Sequence, residues 1–162
     1  EQANVDTILS YCRYNLMITD MDDILTPFCK ERGIGLINAS PLHMGILTEQ
    51  GAPAWHPAPK AVKEAGKRVA ELCHKHGVRV ADVALRFCVA HPYVATTLVG
   101  MSRPDHVETN VAALDGETPA DLMEKIRAII APVFNTTWPS GRPENQDYEE
   151  LREQLLRRQQ AS

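Results

Sequence analysis

The chain has 162 residues, 44% of them hydrophobic and 23% charged, with a formal net charge of -4. That balance belongs to a folded globular domain and excludes collagen-like, disulfide-framework and wholly disordered classes. It offers no basic surface to hold a phosphate backbone, and no stretch approaches the ~20 apolar residues of a membrane span, so neither nucleic acid nor membrane is an expected partner.

Residues 5–11 form a short apolar run compatible with a strand. Met21, Ile24, Leu25 and Phe28 then fall on one helical face, and Gly33 closes that helix. Strand character returns at residues 34–39. A long connection follows over residues 40–59, punctuated by Gly45, Gly51, Pro53, Pro57 and Pro59; loops of this length inside a domain are usually functional or mobile. Ala65, Val69, Leu72 and Cys73 share the apolar face of a second helix, which Gly77 breaks. A third helix over residues 81–90 is expected to bury Leu85, Cys88 and Val89, and Pro92 prevents its continuation. Residues 95–99 read as a third strand. Arg103-Pro104-Asp105 starts a helix with Val107, Val111 and Leu114 on its apolar face, and Leu122, Ile126, Ile129 and Ile130 mark another. The order is the βαβ alternation of a parallel sheet covered by helices.

After residue 141 the chain turns polar, and residues 148–158 set a few leucines in a charged background, the pattern of a marginal amphipathic helix or a frayed tail. Residues 1–141 are therefore taken as one folded unit and 142–162 as a polar extension. The first residues, Glu1-Gln2-Ala3-Asn4, lack the basic and apolar regions of a secretory leader, which predicts a cytoplasmic location. Cys12, Cys29, Cys73 and Cys88 are scattered without a C-x-x-C pair, which predicts reduced thiols and no metal site.

In parallel α/β architectures, ligands collect where strands end and helices begin. Those ends are here Tyr11 to Asn15, Ser40 to Gly45 and Gly100 to Arg103. Ser40 and Ser102 offer hydroxyls and Gly45 and Gly100 allow close backbone approach, which suits a phosphate and also suits ordinary turns. His43 and His56, in the long loop, are open to substrate contact or to plain solvation. Trp55 would cap a sugar face or pin the loop. Trp138 would face a substrate or pack.

The segment Gly33-Ile34-Gly35-Leu36-Ile37-Asn38-Ala39-Ser40-Pro41-Leu42, followed by Gly45-Ile46-Leu47-Thr48, resembles the seventh-strand motif of aldo-keto reductases. Leu98-Val99-Gly100-Met101-Ser102-Arg103-Pro104-Asp105-His106-Val107-Glu108-Thr109-Asn110 is similar to the family's eighth-strand segment, and Tyr14-Asn15 matches its sixth. Leu47 to Gly51 with Trp55-His56-Pro57, and Thr137 to Gly141, resemble the L-galactose dehydrogenase group within that family.

The resemblance implies an α/β fold, a partial (β/α) TIM barrel made of the last three strands with a helical C-terminal extension, and an NAD or NADP cofactor. Ser40 and Leu42 would bind the pyrophosphate, Tyr11 takes the place of a glutamine that holds the carboxamide, and Ala39 replaces a stacking tyrosine. Met101 and Ser102 would lie along the adenosine ribose and its phosphate, and Asn110 would read the adenine. Gly100 and His106 stand where NADP-preferring members place a lysine and an arginine, which favours NAD; only Arg103 nearby would compensate. Thr109 replaces a carboxylate. His43, Trp55 and Trp138 are the substrate-side candidates, for a sugar oxidised at its anomeric carbon to a lactone.

The family's tyrosine, lysine, aspartate and histidine tetrad comes from earlier strands of a barrel of ~250 residues. The resemblance therefore implies a cofactor-binding half without catalytic residues of its own. The alternative is a non-catalytic half-barrel that binds nucleotide or pairs with another chain across its exposed sheet edges.

Overall fold

The computed structural model describes residues 4–138 together with 153, 156 and 157. The polar extension, the leucine pattern of 148–158 included, otherwise lies outside the described residues. Three parallel strands, β1 (Thr7–Tyr11), β2 (Gly35–Ala39) and β3 (Val94–Leu98), pair in the order β1-β2-β3. Leu9 lies opposite Ile37 and Tyr11 opposite Ala39, while a register shift between Leu36 and Ile37 brings Ala39 opposite Leu98. Each expected strand is present, with β1 starting at Thr7 and β3 running one residue earlier than the sequence suggested.

Helix α1 (Met21–Arg32) ends as its glycine requires: Gly33 takes φ 65, and the N–H of Ile34 reaches back to the Cys29 carbonyl at 2.9 Å. Helices α2 (Lys60–Lys75), α3 (Val80–Val89), α4 (Pro104–Leu114) and α5 (Ala120–Ile130) follow. Two apolar clusters result. One lies between the sheet and α1 and α3, built on Tyr14, Met21, Cys29, Ile34, Leu36 and Cys88. The other joins α2, α3 and α5 through Val62, Val69, Cys73, Val83, Leu122, Ile126 and Ile130. All four cysteines are free thiols.

Three apolar assignments made from periodicity do not hold. Phe28 of α1, Val89 of α3, and Val107, Val111 and Leu114 of α4 are exposed. Helix α4 docks on α3 by a different device. The Arg86 guanidinium donates through Nε to the Ala113 carbonyl and through Nη1 to the Glu117 carbonyl at 3.2 Å, satisfying acceptors at the C-terminal end of α4. Gly116 leaves the space, since a Cβ there would collide with that guanidinium. The helix is held at Ala113, and its valine face is largely exposed.

Among the described residues, helices cover one side of the sheet and not the other. Successive side chains alternate across a strand, so Ser10, Leu36 and Asn38 point into the helical layer and are buried. Leu9, Tyr11 and Leu98 stand on the opposite side and are 50%, 58% and 47% exposed. Among the described residues no helix is long and apolar enough to cross a membrane.

Candidate functional site

β1 and β2 end side by side. The N–H of Cys12 donates to the Ala39 carbonyl at 3.0 Å, extending the ladder by one bond. Cys12 at φ 57 and Ser40 at φ 65 then both turn into the left-handed region. Each such non-glycine residue costs about 1–2 kcal/mol, a strain that recurs at ligand sites because the surroundings must hold it. Next, His43 (φ 51), Met44 (φ 56) and Gly45 (φ 99) continue left-handed through a short turn of 3-10 type (His43–Gly45).

This turn, the end of β1 and the end of β3 enclose a pocket of about 520 Å³ lined by Tyr11, Ala39, Ser40, Leu42, Met44 and Gly100 among others. Ser40 Oγ accepts the Met44 N–H at 3.1 Å, which ties the hydroxyl to the turn. Tyr11, Ser40, Leu42 and Gly100, from three strand ends, thus line one pocket. Met101 and Ser102 are exposed on the connection leaving it, and His106 and Asn110 follow, half-buried, on α4. The Ser102 N–H points at His106 Nδ1 at 3.4 Å. Arg103 is forked onto Asp105, Nε to Oδ1 at 2.9 Å and Nη2 to Oδ2 at 2.8 Å, so its guanidinium already has an anion.

A smaller cavity of about 120 Å³ shares Tyr11 and Met44 with this pocket and is closed by Cys12, Arg13, Thr136, Thr137 and Trp138. Burial pushes the Cys12 thiol up to about 11, opposed by a hydrogen bond with Ser40, so the protonated thiol prevails at neutral pH.

The loop histidines are not solvated: His43 and His56 are both buried. Asn15 determines how His43 is held. Its Oδ1 takes the Met17 N–H at 3.0 Å, so its Nδ2 must be the group that donates to His43 Nδ1 at 2.9 Å. His43 Nδ1 is then an acceptor and the ring is neutral. His56 Nδ1 accepts the Ala58 N–H at 3.0 Å, leaving Nε2–H to donate to the His43 carbonyl at 3.3 Å. Trp138 presents its ring at 5.2 Å from His43 and 5.3 Å from His56, both edge-on. Trp55, by contrast, is 69% exposed, although its ring stacks on His56. Asn15 falls in the strand-end segment and the sixth-strand match named above, without a role of its own. Its signal was a single polar residue ahead of the apolar run Leu16-Met17-Ile18.

Burial, seconded by the nearby His56, pushes His43 down to about 3, and burial lowers His56 as well. Both rings protonate near 6.5 once unfolded, so below that pH the unfolded chain binds more protons and stability falls as pH falls. The His43 contribution is complete above pH ~6.5 and is lost progressively towards pH ~3. The thermal midpoint is expected to drop between pH 7 and pH 5, and to drop less in His43→Asn, a residue that tolerates the left-handed backbone. Equal slopes for the two proteins would show that His43 does not titrate in this way.

The sequence model of the Aldo/keto reductase family matches residues 1–131, most of the chain. The chain belongs to the aldo/keto reductase family. This aldo/keto reductase is 43% identical over 151 residues to L-galactose dehydrogenase of Arabidopsis thaliana, covering 88% of this chain and 46% of that protein. It is 26% identical over 130 residues to D-threo-aldose 1-dehydrogenase of a Pseudomonas species, covering 77% of this chain and 40% of the other. Its fold matches aldo-keto reductase AKR11C1 from Bacillus halodurans with a TM-score of 0.61 at 19% identity, over 86% of this chain and 47% of that one. The holo form of that protein matches equally, again at a TM-score of 0.61. The chain thus spans less than half the length of these relatives.

Proposed function

We propose that this chain is the nicotinamide-nucleotide-binding half of a sugar dehydrogenase of the L-galactose dehydrogenase type. The observation that carries the proposal is the convergence of Tyr11, Ser40, Leu42 and Gly100 on one pocket at the C-terminal ends of parallel strands. That location favours a phosphate-bearing ligand, because strand-end loops present backbone N–H groups there. Ser40 and Leu42 bind the pyrophosphate, Tyr11 faces the carboxamide, Met101 and Ser102 follow the adenosine ribose, and Asn110 meets the adenine. The bound nicotinamide supplies the hydride chemistry.

NAD is the favoured form. Gly100 brings no cation, His106 is a histidine rather than an arginine, and Arg103 is engaged with Asp105. The substrate is an aldose oxidised to a lactone in the cytoplasm, by analogy with the sugar dehydrogenases that the chain is similar to. The acid–base tetrad is supplied by β/α units outside this sequence. The open sheet face at Leu9, Tyr11 and Leu98 supports that reading, because a parallel sheet is normally covered on both faces. The same face supports the alternative of a nucleotide-binding half-barrel completed by a partner chain.

Titration of the chain with NADH, followed by nucleotide fluorescence, tests the site. Ser40→Ala is expected to raise Kd by about 10- to 100-fold, since a hydrogen bond to a charged group contributes about 1.5–3 kcal/mol. An unchanged Kd would remove Ser40 from the site.

A further inference from the structure

We infer that Trp138 is a positioning residue: with His43 and His56 it forms a ring cluster that holds the Ser40-to-Gly45 turn in its left-handed conformation. The inference rests on the nucleotide-site reading for its consequence and on geometry for its substance. The sequence leaves Trp138 open to substrate contact or to packing, and in the structure its ring packs on two buried imidazoles and on the apolar cluster of α2, α3 and α5.

The turn needs external support, since two consecutive non-glycine residues in it, His43 and Met44, have positive φ. His43 receives that support at Nδ1, at its carbonyl and on its ring, while its buried Nε2 has no hydrogen-bond partner among the described residues. Asn15 holds Nδ1, the Trp138 edge closes one side of the ring, and the His43 carbonyl accepts from His56 Nε2 and from the Ile46 N–H. Trp138 is itself delivered to this point by Asn135. The Asn135 N–H bonds the Met17 carbonyl at 3.0 Å and its Oδ1 takes the Thr19 N–H at 2.8 Å. Three stretches distant in sequence, the exit of β1, the exit of β2 and the segment after α5, therefore meet at one indole. Removing it leaves the His43 ring without a wall and lets the turn relax towards ordinary backbone angles. The Ser40 and Met44 groups that line the pocket then lose their fixed placement.

Two readouts on the full chain separate this inference from the nucleotide reading. Hydrogen exchange in Trp138→Ala is expected to be at least 10-fold faster at the Met44 and Gly45 amides and unchanged in α5, with Trp138→Phe restoring protection. NADH titration is expected to show Kd raised at least fivefold in Trp138→Ala and within about twofold of the parent in Trp138→Phe. Unchanged exchange at the turn, or an equal rise in α5, overturns the positioning role whatever the nucleotide does. Raised exchange with an unaltered Kd overturns its link to binding. A parent chain that binds no nucleotide while the turn responds as stated refutes the nucleotide reading and leaves the positioning role supported.

Discussion

Replacing Leu47 by alanine is expected to lower the stability of the chain by about 2–5 kcal/mol, the range for deleting a fully buried leucine side chain and leaving a cavity. Leu47 lies in the long connection after β2, where an apolar residue is usually of little consequence. Here it is completely buried beside Leu16, Met17, Ile46 and Val62, and its N–H bonds the Leu42 carbonyl at 3.1 Å. Ile46 beside it is pressed against α2 so closely that a Cβ at Gly66 would collide with its side chain. The loop is therefore a piece of the core, and its burial on α2 anchors the turn that lines the pocket. Against a typical total of about 5–15 kcal/mol, the loss should move the urea midpoint down by about 1–2 M. Leu98→Ala, on the open side of the sheet, should change stability by no more than about 0.5 kcal/mol. Similar losses for the two variants would mean that the exposed face is covered in solution.

The double substitution Gly100→Lys with His106→Arg is expected to shift the preference between nucleotides towards NADPH by about 10- to 100-fold, measured as the ratio of the two dissociation constants. A lysine fits sterically, since a Cβ added at Gly100 would meet no atom within 4 Å. Each added cation pairs with a doubly charged 2′-phosphate, and at such solvent-accessible positions an ion pair contributes about 1 kcal/mol. His106→Arg also gives up the weak acceptor at Nδ1 for the Ser102 N–H, so part of the gain is offset. Arg103 is forked onto Asp105, so the proposed NAD preference does not count it in place of the missing cations. Should the parent chain already prefer NADPH, the NAD assignment is wrong. Should the double variant leave the ratio untouched, the connection from β3 to α4 does not carry the ribose.

What could be read from the residues alone was whatever depends on near neighbours. Gly33 ends α1 because only a left-handed residue closes that helix, and the neighbours that decide it are within five positions. The three strands, their parallel order and the clustering of Ser40 and Gly100 at strand ends followed from alternation of elements and from motif spacing. Side-chain burial was read less well. Periodicity marks a face as apolar but not which element covers it, and α4 shows the gap: Arg86 and Gly116, not the valine face, hold that helix to α3. His43 and His56 looked like solvated loop residues because nothing nearby in sequence buries them. They are buried by Asn15, Trp138 and the Leu47 segment, partners that only the packed chain brings together. By itself, then, the sequence carried the family through its motifs, and the element order and strand ends through short-range backbone preferences. The tertiary structure alone decided that a half-buried indole packs against two buried, neutral imidazoles beside the pocket's strained turn, because desolvation and ring contact depend on residues up to 123 positions apart, from Asn15 to Trp138.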